Sequence, residues 1–299
     1  MLDYKLLEAF AAVIQEGGFD RAGRLLNLTQ SAISQRIKLL EDQVGLVLLV
    51  RSQPPKATPA GQHLIKHYRQ VEQLEDSLGH DLGPSEGMRF TSLAIGINAD
   101  SLATWFLDAV HRFVKDESVV LDLSVEDQEQ THRLLKDGDV TGCVSTQERA
   151  MRGCRVDYLG RMEYRLLATP EFADKWFPDI LDEKAVLQAP ALLFTRRDDL
   201  HNKILKLLLG KSPTDIPAHY VPSYETFVEF IVSGLGYGMV PDRQSTPLIT
   251  AGKLVNLAPG KHFPVDLYWH RWNIRSRILE GFSESLIRNA RATLKNQAT

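Results

Sequence analysis

The segment Thr29–Leu40, TQSAISQRIKLL, constrains this chain more than any other stretch. Ile33, Ile37, Leu40 and Val44 recur at three- and four-residue intervals, which gives a helix one buried stripe. Thr29 stands where a hydroxyl caps the helix start. The other faces carry Gln30, Ser31, Ser34, Gln35 and Lys38, with Arg36 at the edge. A merely solvated face is more often built from Glu and Lys, and here the acids come only at Glu41 and Asp42. Amides and guanidinium groups pair two-pronged with adenine or guanine edges, and hydroxyls take bases or phosphates. The pattern predicts the second helix of a helix-turn-helix, the one that lies in a DNA major groove.

The flanking residues supply the rest of such a module. Leu6, Leu7, Phe10, Val13 and Ile14 form an apolar helical stripe, and Gly17-Gly18 ends it. Phe19 to Leu26 predicts a short second helix with Ala22, Leu25 and Leu26 inward, and Asn27-Leu28 the turn before Thr29. Val50–Thr58, VRSQPPKAT, reads as a wing: Arg51 and Lys56 flank two prolines that stiffen an exposed loop. Two cations on such a tip are placed to grip phosphates. From the pattern alone, a small three-helix domain with a polar face satisfies the same spacing.

A resemblance narrows this. Gln30-Ser31-Ala32, Ser34, Ile37, Leu40-Glu41, Gly45, Leu48, Arg51, Thr58 and Gly61 fall in the order of the signature of LysR-type transcriptional regulators. Gly23 stands where that family usually has alanine, and Leu49 where it usually has phenylalanine. The pairs Gln35-Arg36 and Leu49-Val50, NADSLATW at Asn98–Trp105, VED at Val125–Asp127 and YWHR at Tyr268–Arg271 resemble the arginine/lysine-responsive branch. The resemblance covers nearly the whole chain. It implies an N-terminal all-α winged helix-turn-helix with a linker helix, and a C-terminal α/β effector domain of two periplasmic-binding-protein-like subdomains. It also implies double-stranded promoter DNA, a second copy of the chain (a homodimer, extending to a tetramer) and RNA polymerase as partners. The co-effector it implies is lysine or arginine, with no cofactor and no metal.

The formal net charge of −3 is not that of a generally basic nucleic-acid binder. DNA affinity must come from a local basic face and from pairing of copies. Cys143 and Cys154 are the only cysteines and lack metal-ligand spacing. No leader peptide and no transmembrane-length apolar run is evident, so a cytoplasmic location is expected. Thr58-Pro59 is a cap followed by proline at the first helical position, and a long helix is expected to about Leu78. Its stripe of Leu64, Tyr68, Val71, Leu74 and Leu78 suits pairing with a partner helix. Packing within the same chain would use the same residues. Gly79–Gly87, GHDLGPSEG, reads as the hinge. The expected domains are 1–58 for DNA binding, 59–88 for the linker helix and hinge, and 89–299 for effector binding. Within the last, one subdomain takes about 89–161 and 266–299, the other about 162–265.

From Thr91 onward, strands alternate with helices. Leu93–Ile97, Val119–Val125 and Gly142–Ser145 come first, with helices near Ser101–Val114 and Gln128–Asp137. Tyr164–Ala168, Ala191–Phe194, His219–Val221, Tyr237–Val240 and Val265–His270 follow, before a helix at Ser276–Leu294. That rhythm implies an open, largely parallel sheet. Such sheets bind ligands at the carboxyl ends of strands. The rule selects Asn98, Asp100, Ser101, Glu126, Asp127, Ser145, Thr195, Ser223 and Tyr224. Ser101 at a helix start suits a carboxylate, and Asp100, Glu126 and Asp127 suit an ammonium or guanidinium group. Plain capping and a solvated strand end account for the same residues.

An enzyme is not expected. Ser145, His132 and Asp127 are a conceivable triad, but the chain has no G-x-S-x-G elbow and no phosphate loop. The glycines of Gly234–Gly238 precede a strand instead of opening a helix, Cys143 sits in a predicted buried strand, and His270 reads as a packing residue. The alternative from another class is an amino-acid-binding module or architectural DNA binder without ligand-regulated transcription.

Overall fold

The computed structural model describes residues 2–81, 90–126, 130–196, 198, 200–211, 213–261 and 263–295. The N-terminal region is helical: α1 (Tyr4–Glu16), α2 (Phe19–Leu25) and α3 (Gln30–Val44), then the short strands β1 (Leu49–Val50) and β2 (Lys56–Ala57). α1 stops at Gly17, whose φ of 62° reverses the chain. Thr29 caps α3, its Oγ1 accepting from Ala32 N–H at 3.2 Å. Ile33, Ile37 and Leu40 bury against Leu7, Phe10 and Val13 of α1. Each such burial is worth about 1.5–3 kcal/mol, so the stripe alone fixes which face of α3 is left for solvent.

One detail of this bundle departs from the sequence reading. Leu25 points outward, 55 % exposed, because α2 has only seven residues and its inner face is spent on Ala22 and Gly23. At Gly23 a Cβ would lie 2.7 Å from the Leu28 carbonyl oxygen. Leu28 N–H also bonds back to the Gly23 carbonyl. The turn therefore closes too tightly for the alanine usual at this position. Glu41 has a role that the sequence reading left open: its Oε1 accepts from Leu48 and Leu49 N–H at 2.8 and 3.3 Å, tying the end of α3 to the base of the wing.

The linker helix α4 (Pro59–Asp81) runs three residues past the expected Leu78. Its apolar stripe divides. Leu64 and Tyr68 pack on the helix-turn-helix core, whereas Leu74 and Leu78 are 39 % and 55 % exposed. Another face of α4 docks on the C-terminal region of the same chain. Arg69 pairs with Asp139 at 3.0 Å and also donates to the Gly138 carbonyl, and Ser77 Oγ accepts from Arg277 N–H at 3.1 Å.

The C-terminal region is α/β. β3 (Thr91–Ile97) leads through α5 (Ala99–Ser101) and a π-turn at Leu102–Phe106 into α6 (Leu107–Asp116). β4 (Val119–Val125), α7 (Thr131–Asp137) and β5 (Gly142–Ser145) follow. β6 (Cys154–Ala168) then carries the chain into a second unit: α8 (Pro170–Trp176), α9 (Glu183–Val186), β7 (Ala191–Leu193), α10 (Leu200–Leu209), β8 (Ala218–Tyr220), α11 (Tyr224–Val232), β9 (Gly238–Pro241), α12 (Asp242–Thr250) and β10 (Val255–Asn256). β11 (Phe263–Trp272) returns, and α13 (Arg277–Lys295) closes. Among the described residues, the main sheet has the order β10-β6-β11-β5-β3-β4, with β9 also on β6.

The parallel neighbours β3-β4 and β3-β5 are the expected βαβ units. β6 and β11 depart from the expected largely parallel sheet only in direction: they pair antiparallel from Phe263↔Tyr164 to Trp272↔Cys154. They are the crossings between the two units, and they cross as one ribbon. Gly160 permits this, with φ 145° and an absent Cβ that would otherwise meet Leu294 Cβ at 2.5 Å. The register shifts between Leu267 and Tyr268, opposite that glycine.

Candidate effector cavity and DNA-facing groove

α3, the α1–α2 turn and the wing enclose an open groove. Its lining includes Gly17–Arg21, Gln30, Ser31, Ser34 and the segment Arg51–Pro55. Of the residues the sequence singled out, Gln30, Ser31, Ser34 and Arg51 meet there. Thr29, Gln35, Lys38 and Lys56 are exposed nearby but outside it, Thr29 being occupied with its cap. Arg36 turns the other way, its Nη1 donating to the Lys5 carbonyl at 3.4 Å. Arg21 lines the groove and was missed: it lies on α2, outside the helix that carried the motif. Its guanidinium donates to the Gly17 carbonyl at 3.1 Å. Lys38, Arg51 and Lys56 have no ion-pair partner among the described residues. An open, cationic, hydroxyl- and amide-bearing groove beside a helix start is suited to a phosphate backbone and an adjacent base edge.

The second site is a cavity, part of it open to solvent, between the two α/β units. It lies where the strand-end rule put it, at the ends of β3, β4, β7 and β9. Asn98, Asp100, Glu126 and Tyr224 line it as expected. Ser101, Ser145, Thr195 and Ser223 do not. Ser101 is fully buried with its Oγ against Met162 Sδ at 3.8 Å, because the helix starts at Ala99 and not at Ser101. The Ser145 hydroxyl accepts from Gln147 N–H at 3.2 Å, and Ser223 Oγ bonds Thr226 Oγ1 at 3.1 Å. Asp127 falls outside the described residues.

Tyr164, Asp198, His201 and Gln244 complete the polar lining and were not legible in the sequence. Tyr164 lies within a crossing strand, where no end rule applies. Asp198 and His201 lie three and six residues beyond the strand-end Thr195, and Gln244 follows β9, an end that could have been searched. The Tyr164 hydroxyl donates to Asp100 Oδ2 at 2.7 Å. Burial, then the Asp100 charge, pushes the Tyr164 phenol well above its usual range, so it stays a donor. Burial and Asp100 raise Tyr224 in the same way. Asp198 is oriented by the N–H groups of Phe194 and Leu200, at 3.2 and 3.1 Å.

Three carboxylates, Asp100, Glu126 and Asp198, thus face a cavity whose described lining has no lysine or arginine. Asn98 Oδ1, Gln244 Oε1 and Tyr224 Oη are buried there without a hydrogen-bond partner. Buried polar atoms are rarely left unpaired, so this set points to a ligand rich in donors and positive charge. Leu192, Phe194, Leu200, Phe227, Val228 and Met239 give the remaining wall an apolar surface that fits a methylene chain. Among the described residues no group of acids, histidines and cysteines has the arrangement of a metal site, and no helix is long and apolar enough to cross a membrane.

The family model for the bacterial regulatory helix-turn-helix protein, lysR family, matches residues 4–62, and that for the LysR substrate binding domain matches residues 89–291. The chain is 42 % identical over 294 residues to the HTH-type transcriptional regulator ArgP of Aeromonas salmonicida, covering 98 % of each. It is similar to the crystal structure of ArgP from Mycobacterium tuberculosis, with TM-score 0.84, 37 % identity, and 97 % of this chain and 98 % of that one covered. It is also similar to full-length LysG from Corynebacterium glutamicum with bound effector Arg, with TM-score 0.75, 34 % identity and the same coverage.

Proposed function

The chain belongs to the LysR family of helix-turn-helix transcriptional regulators, and from that premise we propose that its cavity binds a basic amino acid, lysine or arginine, which sets its output at a promoter. The observation that carries the proposal is the cavity's chemistry: the carboxylates Asp100, Glu126 and Asp198 line it together, beside the unpaired polar atoms of Asn98, Gln244 and Tyr224. A basic amino acid brings two cationic groups and a methylene stem, and this lining complements all three. Its carboxylate is assigned to the first-turn N–H groups at Ala99–Ser101, which a helix start leaves without partners in its own ladder. LysG, similar along its whole length, carries arginine as its effector.

On the DNA side, Gln30, Ser31 and Ser34 are assigned to base edges or adjacent phosphates. Gln35, Lys38, Arg51 and Lys56, with the added Arg21, are assigned to the backbone around them, whereas Arg36, turned onto the Lys5 carbonyl, and Thr29, engaged in its cap, are not. Leu74 and Leu78 on α4 are the apolar positions available for pairing with a second copy, as reading two half-sites requires. A tetramer and contact with RNA polymerase belong to the same reading. Because ligand and DNA bind different regions, the ligand acts by its differential affinity for two arrangements, typically about 1–3 kcal/mol of coupling.

Calorimetry on the full chain with the twenty common amino acids tests the cavity. Heat from lysine or arginine and from no acidic amino acid is expected. Binding of glutamate or a neutral amino acid in their place overturns the assignment. A gel shift on the DNA upstream of the chain's own coding sequence, with and without the bound amino acid, tests the coupling.

A further inference from the structure

Resting on that reading of the cavity, we propose that His201, with Asp198, forms a floor subsite that receives the terminal nitrogen of the effector's side chain and so determines which amino acids are accepted. His201 is 2 % exposed, lies on α10, and lines the cavity. Neither of its ring nitrogens has a hydrogen-bond partner. An imidazole serving only as packing is expected to satisfy at least one of them, since leaving a buried donor or acceptor unmade is costly.

The surroundings specify what would pair with it. Asp198 stands three residues before His201, also lines the cavity, and is held in one orientation by two backbone N–H groups. A carboxylate and a neutral imidazole nitrogen together present a counter-charge and an acceptor, which suits a protonated nitrogen and no anion. Burial lowers the His201 pKa to about 4, so near neutrality the ring is uncharged and does not repel a cation. The Tyr237 ring packs on the imidazole with centroids 5.3 Å apart and fixes its plane. Leu192, Val228 and Met239 line the same cavity with apolar surface, which suits methylenes and leaves the polar contact for the chain's end.

The subsite therefore works as a length and charge gauge. Lysine and arginine reach it with a nitrogen, ornithine falls one methylene short of lysine, and norleucine presents a methyl group. Calorimetry on the full chain with these four amino acids is the test. The wild type is expected to favour lysine and arginine over ornithine and norleucine. His201→Leu should weaken lysine and arginine by about tenfold or more and erase most of the discrimination against norleucine, with His201→Gln, which keeps an acceptor, between the two.

If His201→Leu melts like the wild type and binds lysine and arginine with unchanged affinity and unchanged discrimination, the subsite assignment is overturned and the cavity reading stands. If the wild type binds neither amino acid, the cavity reading falls and the subsite with it. Should His201→Leu not fold, His201→Gln and Asp198→Asn decide: unchanged discrimination in both overturns the proposal.

Discussion

The two sites solve opposite problems. The DNA-facing groove is built from local sequence, with three of its polar residues inside five positions of α3 and the rest on the turn and wing beside it. The cavity draws on residues from Asn98 to Gln244, on seven secondary-structure elements and in the loops after β3, β4 and β7. The groove leaves its cations exposed to water. The cavity buries acceptors without partners. A site for a long polyanion can work with solvated charges, because counterion release supplies affinity without close fit. A site for one small cation has to pre-pay desolvation, and only a folded wall can do that.

The largest expected effect tests burial itself. His201 and His270 lie in the C-terminal region, and burial lowers both pKa values, His201 to about 4. The unfolded chain, with histidines near 6.5, then binds more protons than the folded one as pH falls. The stabilisation is complete above about pH 6.5 and is lost as pH falls toward about 4. For His201 this amounts to about 3 kcal/mol. Thermal melts from pH 7 to 4 should show a falling transition that His201→Leu flattens. An identical slope in that variant breaks the claim that acid acts through the cavity floor.

Asp100→Asn comes next. It removes a cavity charge and leaves the Tyr164 hydroxyl a neutral amide in place of a carboxylate acceptor. Lysine or arginine affinity should fall by about 2 kcal/mol, the scale of a hydrogen bond to a charged group. Ligand-free DNA binding should not move, and a matched loss of DNA affinity would erase the separation between the two regions.

Gln30→Ala tests the groove with a smaller expected loss, about 1–2 kcal/mol on a specific site and none on non-specific DNA. Equal losses on both would reassign Gln30 to phosphate. The smallest effect belongs to Lys56→Ala. Its removal should weaken binding on every sequence and reduce the slope of log affinity against log salt by about 0.9. A sequence-dependent loss there would make the wing a reader of bases.

The contrast also explains how much could be read beforehand. The helix-turn-helix was legible because its stripe, its threonine cap and its ending glycine act within a few residues. Tertiary packing then altered details such as Leu25, turned outward, and Arg36, drawn toward Lys5. In the cavity, Asn98, Asp100, Glu126 and Tyr224 were found by topology alone, because open α/β sheets place ligands at strand ends. Ser101, Ser145, Thr195 and Ser223 satisfy the same rule yet stand outside the lining, since the rule selects a rim and not a direction.

The sequence by itself determined the family, the helix-turn-helix with its linker helix, the first βαβ units and the position of the cavity, since periodicity, caps and motif spacing are properties of neighbouring residues. The tertiary structure alone decided which polar groups face one another. Tyr164 meets Asp100 because a crossing strand passes a helix start 64 residues earlier in the chain. His201 lies buried and unpaired where the ring of Tyr237, 36 residues later in the chain, packs on it. Contacts of that separation depend on the packing of whole elements, and no local pattern encodes them.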